Sequence, residues 1–258
     1  AGGYSPVYPC HVSPKKMRTH PIGTGPFKFV SLKQNEHVKF VKNQNYWKKG
    51  LPHLDGINWT IIKSRSTRVL AFVAGKFDFT FNVDVTIPLL KDVKAQAPHA
   101  ICELVTTNVS FNLIVNQFKP PFDNAKIRKA MVMTMDRKAF IDILSEGQNV
   151  QGGAMMPPPS GVWGMPPEFL KTVAGYSSDV AGNRAKARKI MESLGYGPDN
   201  KLKVKVSTRN IAVYRDPAVI LIDHMKEIYI DATLDTVETS NWHAKVARKD
   251  YMVGLNLT

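Results

Sequence analysis

Leu202-Lys203-Val204-Lys205-Val206, then Pro217-Ala218-Val219-Ile220-Leu221-Ile222-Asp223-His224-Met225-Lys226-Glu227-Ile228-Tyr229, then Ala232-Thr233-Leu234-Asp235-Thr236-Val237: this stretch decides the fold class. Its first and third segments are short, β-branched and strand-like. The middle one places Val219, Ile222, Met225 and Tyr229 on one helical face. Strand, helix and strand in succession give an α/β protein with mixed sheets, and the pattern continues in both directions. Downstream come a short helix near 242–249 and a strand over 252–257. Upstream, a helix over 180–194 stops at Gly195, and two helices over 124–134 and 136–144 are capped by Asp123 or Asn124 and by Asp136. Between these lies a Gly/Pro/Met stretch over 147–178, and an unstructured segment of that length is usually functional.

The first hundred residues alternate in the same way. Phe27-Lys28-Phe29-Val30 and His37-Val38-Lys39-Phe40-Val41 form a hairpin around Gln34-Asn35-Glu36, and Gly56 opens a strand bearing Ile57, Trp59 and Ile61. The turn Asn43-Gln44-Asn45-Tyr46-Trp47 is expected to dock by its two rings. A helix over 64–74, capped by Ser64 or Ser66 and ended by Gly75, places Val69, Leu70 and Val73 together. Strands are expected over 77–81, 101–105 and 109–115, and a helix running from Pro88 to about 97.

Thirty-five Lys and Arg against 21 Asp and Glu give a formal charge of +14 over 258 residues. Such a charge admits nucleic acid, an anionic surface or an acidic ligand. The basic residues are dispersed, however, and the densest group, Arg184 to Lys189, reads as the solvated face of a helix. No zinc-finger spacing, RNP-like motif or GxxG clamp accompanies the charge. No stretch approaches the ~18–20 apolar residues of a membrane-spanning helix. Ala1-Gly2-Gly3-Tyr4 shows no secretion signal, and the ending Met252-Val253-Gly254-Leu255-Asn256-Leu257-Thr258 reads as a strand entering a sheet. The chain is therefore expected to be a piece of something longer.

Catalytic chemistry finds no foothold. The seven histidines include no HExxH and no helical pair; there is no GxSxG elbow, no Walker loop and no GxGxxG. Asp78, Asp84, Asp136 and Asp142 are explained by helix caps and surface solvation. Cys10 and Cys102 make at most one disulfide, and two free thiols fit equally well.

Several segments together resemble a known family. His20-Pro21-Ile22-Gly23-Thr24-Gly25-Pro26-Phe27 is similar to the GTGPF/Y entry of the family 5 extracellular solute-binding proteins, the peptide- and nickel-type binding components of ABC importers. Val41 to Trp47 resembles their xRNPxYW, and Leu54-Asp55-Gly56-Ile57 their LDxI. Ser66-Thr67-Arg68 with Ala74-Gly75-Lys76-Phe77-Asp78 resembles TrxxxLxxGExD, with Lys76 in place of an acid. Pro120 to Ala130 with Asp136-Arg137, and Gly175-Tyr176 through Leu194-Gly195-Tyr196, complete six matches in order. Most of these residues are expected to hold the fold: Tyr46 and Trp47 plugging a core, Arg128 ion-paired to a helix.

The resemblance implies a bilobed periplasmic-binding-protein-like fold of type II (peptide-binding cluster) with mixed β-sheets and flanking helices, incomplete at both ends. Residues 1–106 would be the middle of the first lobe and 107–258 most of the second, with a hinge crossover near 106–110. It implies a monomeric periplasmic transport protein. This protein holds an oligopeptide or related small solute between its lobes and passes it to membrane permease subunits, with no enzyme activity, cofactor, metal or nucleic acid and no membrane contact except through the permease. Nickel or haem transport stays open within the family, and a basic nucleic-acid-binding domain remains the reading of another class. Ligand-facing residues are expected at Phe81, Asn82, Thr107, Asn108, Ser110, Asn112, Arg209, Tyr214 and Arg215, with residues 155–163 as a covering loop.

Overall fold

The structure, a computed structural model, describes residues 7, 9–81, 84–104, 109–153 and 164–257. By its internal packing the chain divides into two compact units, 1–84 and 85–258. The first holds helix α1 (Pro14–Thr19), strands β1 (Phe27–Lys33), β2 (His37–Lys42) and β3 (Gly56–Thr60), and helix α2 (Arg65–Val73). The strands form one antiparallel sheet in the order β1-β2-β3. The expected hairpin is present: Asn35 takes φ +63 and Glu36 N–H donates to Lys33 O at 3.0 Å. Phe29, Phe40 and Ile57 are direct cross-strand neighbours, and the two phenylalanine rings meet edge-on at 6.2 Å. Such pairs are what hold a small sheet together.

Three expectations for this unit are corrected. Trp47 is 71% exposed, so its ring does not dock the 43–47 turn. Asn43 does: it is buried, its Nδ2 donates to Gly25 O at 3.0 Å, and its Oδ1 accepts from Asn45 N–H at 3.2 Å. Ser64 caps α2 through Thr67 N–H as expected, but Leu70 stands 61% exposed, because the inward side of this short helix is centred on Val69. Residues 77–81 form no strand, since none of them joins a ladder.

The second unit holds α3 (Ile87–Gln96), β4 (Phe111–Val115), α4 (Ala125–Thr134), α5 (Arg137–Ser145), α6 (Pro167–Leu170), α7 (Val180–Glu192), β5 (Leu202–Arg209), α8 (Ala212–Lys226), β6 (Ile230–Val237), α9 (Thr239–Ala247) and β7 (Val253–Leu257). The sheet order is β4-β7-β5-β6; β5 is parallel to both β6 and β7, while β4 is antiparallel to β7. The mixed sheet is thus as read from sequence. Residues 101–104 make no strand, and Ile101 is 91% exposed. Asn124 and Asp136 cap α4 and α5 through their side chains, and α3 meets α5 at the Lys91–Glu146 pair, 3.0 Å apart.

Helix α8 begins at Ala212, with Pro217 inside it, and its buried stripe is Pro217, Ala218, Leu221, His224 and Met225. Of the expected face Val219, Ile222, Met225 and Tyr229, Met225 is fully buried and Ile222 and Tyr229 pack partly buried against the core. Val219 is exposed, and Tyr229 lies past the helix at φ +63, donating its hydroxyl to Glu192 at 2.9 Å. Five successive apolar residues, Ala218 to Ile222, leave both stripes open by periodicity, and packing on β5 chooses one. Leu221, Met225 and Ile228 pack with Val204, Val206, Ile230 and Val253 and with Ile127, Ala130, Met131 and Met191. Each large side chain so buried contributes about 1.5–3 kcal/mol.

Polar groups complete this core. Arg128 donates to the carbonyls of Phe122 and Asp123 at 2.6 and 2.9 Å, where an ion pair was expected. The basic run on α7 is only partly a solvated face. Arg184 donates to Thr134 O at 3.2 Å and Arg188 to Glu227 O at 3.1 Å, while Lys186 and Lys189 are exposed. Asn116, buried, donates to the carbonyls of Lys249 and Tyr251 at 2.9 and 3.0 Å and so fixes the approach to β7. On β7, Gly254 leaves room for Trp242, which is fully buried; a Cβ there would stand 2.8 Å from the Ile114 side chain.

Two predictions follow from this core. Gly175 has φ +83, and a Cβ on it would overlap the carbonyl of Val132; its own carbonyl accepts from Arg137, whose guanidinium lies 3.9 Å over the Tyr176 ring. Gly175→Ala should therefore cost about 2 kcal/mol or more in urea unfolding. His224 is buried edge-on to Phe140 at 5.3 Å, and its Nδ1 accepts from Asp136 N–H at 3.4 Å. Burial, chiefly, and the neighbouring Arg184 push its pKa below the ordinary value, against the pull of Asp136, Asp223 and Glu227. The neutral ring's contribution is present above the unfolded pKa of about 6.5 and is lost as pH falls from there through the depressed folded value. The melting temperature should drop between pH 8 and pH 5, and His224→Gln should flatten that dependence.

Candidate functional site

Strands β5 and β6 run parallel and end side by side, Arg209 opposite Val237. In α/β proteins ligands bind at such carboxyl ends. Just inside the edge, Ser207 and Thr208 are fully buried. The Ser207 hydroxyl donates to Asp235 at 2.7 Å and that of Thr208 to Leu255 O at 3.1 Å. Asp235 also faces Lys245 of α9 at 3.5 Å, which reaches Asp250 at the same distance. The edge is a rigid, hydrogen-bonded floor.

Arg209 stands on that floor, half-buried. Its guanidinium lies 4.4 Å over the Tyr214 ring; Nη1 donates to the Tyr214 hydroxyl at 2.6 Å and Nε to Thr239 Oγ1 at 3.4 Å. Both partners are neutral, so they orient the charge without cancelling it, and a planar guanidinium suits a carboxylate bidentately. Asn210 beside it donates to Glu238 at 3.4 Å. The structure thus brings Arg209 and Tyr214 together. It sets Arg215 apart, exposed and 3.8 Å from its neighbour Asp216. Thr239, on the first turn of α9, is the partner that sequence reasoning missed; it lies 30 residues from Arg209 with no motif to link them.

The other expected residues are less gathered. Asn112 sits on β4 opposite Asn256 and donates to Ser110 O at 3.3 Å. Thr107, Asn108, Asn82 and residues 155–163 lie outside the described residues. In the first unit Phe81 is half-exposed, edge-on to Trp59 at 5.7 Å. Asp84, expected to be solvated, is 1% exposed and held by Arg68 through Nε at 2.8 Å and Nη2 at 2.6 Å. That pair raises the pKa of Arg68 through its hydrogen bond to the carboxylate, against the effect of burial. Cys10 is exposed and Cys102 half-buried, and both are free thiols. Among the described residues no three His, Cys, Asp or Glu group as metal ligands, and no helix is long and apolar enough to cross a membrane.

A glutathione-binding protein, GsiB, of Salmonella paratyphi A is 25% identical over 236 residues, 91% of this chain and 43% of its own length. Heme-binding protein A of Haemophilus influenzae is 30% identical over 185 residues, 71% of this chain and 31% of its own. The crystal structure of Haemophilus influenzae OppA in complex with RPPGFSPFR superposes with a TM-score of 0.69 at 22% identity, over 92% of this chain and 45% of that one. The chain thus spans less than half the length of these relatives, and its fold is that of periplasmic peptide-binding proteins. The model of the bacterial extracellular solute-binding proteins, family 5 (middle) matches residues 4–257, and the chain belongs to that family.

Proposed function

We propose that this chain is part of the substrate-binding component of an ABC-type importer. It takes an oligopeptide or related small solute between two lobes in the periplasm and delivers it to the permease subunits, without enzyme activity of its own. The observation that carries this reading, within the family, is the oriented guanidinium of Arg209 on Tyr214 and Thr239 at the ends of β5 and β6. A peptide presents a carboxylate that such a group fits, and hydroxyl and amide side chains such as Ser110 and Asn112 suit its backbone. Phe81, Asn82, Thr107, Asn108 and Arg215 complete the proposed ligand-facing set. Residues 1–106 and 107–258 are assigned to the two lobes, with the crossover near 106–110.

The 30% identity to a haem-binding protein supports haem as a second reading. Isothermal titration separates the two: the full chain is titrated with glutathione, with the nonapeptide RPPGFSPFR and with haem. Binding of either peptide with Arg209→Ala weakening it by about tenfold or more, the loss of one charge-assisted contact, is the expected result. Binding of haem alone replaces the peptide reading, and an unchanged affinity in Arg209→Ala removes that residue from the site. Tyr214→Phe, which leaves the ring and removes the hydroxyl, should lose less than Arg209→Ala.

A further inference from the structure

Arg68 lies in the opening turns of α2 and uses all three guanidinium nitrogens. Nε and Nη2 take the two oxygens of Asp84, and Nη1 donates to the carbonyls of Ile62 and, at 3.0 Å, Lys63. One side chain therefore ties together the residues after β3, the start of α2 and Asp84. Asp84 N–H in turn donates to Phe81 O at 2.9 Å. Phe81 is held a second time by the edge-on contact with Trp59, yet half of it remains exposed. Phe81 is thus held through its carbonyl by Asp84 and through its ring by Trp59, and half of it stays exposed.

An ion pair whose carboxylate is buried, as that of Asp84 is, is a poor device for stability alone, because desolvation offsets its attraction. Its two-pronged geometry does specify position. We propose that Arg68 is a positioning residue for solute binding: through Asp84 it sets the angle at which Phe81 meets an apolar part of the ligand. This rests on the function proposed above, in which Phe81 faces solute. The ligand class it adds is a peptide with an apolar side chain, such as the phenylalanines of RPPGFSPFR, over one that is polar throughout.

The test is a double-mutant cycle on the full chain with Arg68→Lys, Phe81→Ala and the double variant, titrated with RPPGFSPFR and with glutathione. Lysine keeps the charge and loses the fork. Arg68→Lys should weaken RPPGFSPFR about tenfold, as misplacing a binding group does, and speed hydrogen exchange at the Asp84 amide. The double variant should be no weaker than Phe81→Ala alone, since Arg68 acts through that ring. Glutathione should respond less to all three. Additive losses, or faster exchange with unchanged affinity, overturn the proposal and leave a structural ion pair. If Arg68→Lys does not fold, Asp84→Asn takes its place in the same cycle with the same outcomes. Wild-type chain that binds neither peptide sinks the function itself and this role with it; binding that Phe81→Ala leaves intact sinks only the role.

Discussion

The contact between α8 and the parallel pair β5–β6 is the constraint on which the second unit depends. A right-handed crossover returns the chain beside its starting strand only if the helix lies flat on the sheet. That in turn requires small residues at the closest approach and large ones around it. Ala218 supplies the first, and Leu221, Met225 and Ile228 the second, all fully buried against Val204, Val206 and Ile230. Once the helix is so placed, the ends of β5 and β6 fall level. Arg209, Asp235 and the start of α9 then meet at one edge. The candidate site is a by-product of where the core puts the strand ends.

The first unit solves a different problem. Its three-stranded sheet is short and its helices are small, so buried polar groups do much of the fixing. Asn43 ties the turn after β2 to the chain entering β1, and Arg68 ties α2 to Asp84. Such groups specify position more than they add stability, because each hydrogen bond replaces one with water. Both lie in segments that resemble family motifs. Those short motifs are the parts of the sequence where side-chain chemistry cannot be exchanged for mere hydrophobicity.

The mixed α/β class, the hairpin at Asn35 and the caps at Ser64, Asn124 and Asp136 were legible in the sequence, because period, turn chemistry and capping are local. Strand propensity without a partner was misleading. Residues 77–81 and 101–104 have the composition of strands, but a strand exists only in a ladder. The buried face of α8 was illegible because the apolar run from Ala218 to Ile222 satisfies two stripes equally, and only the tertiary partner decides. At the site, Arg209 and Tyr214 could be read because both fall in the one strand-to-helix segment that the family pattern places at the cleft. Thr239 and the Arg68–Asp84 pair could not, since hydrogen bonds across 30 and 16 residues leave no trace in spacing.

The sheet order carries a consequence for how the second unit assembles. β7 follows β4, β5 and β6 in the sequence, yet it lies between β4 and β5. Until residues 253–257 are in place, β4 has no neighbour in this sheet, and some 140 residues of chain separate the two. The β5–α8–β6 portion relies on contacts close in sequence and can form early; β4 must wait. Until then Phe111 to Val115 lack the partner they have in this sheet, and an unpaired apolar edge pairs readily with the wrong strand.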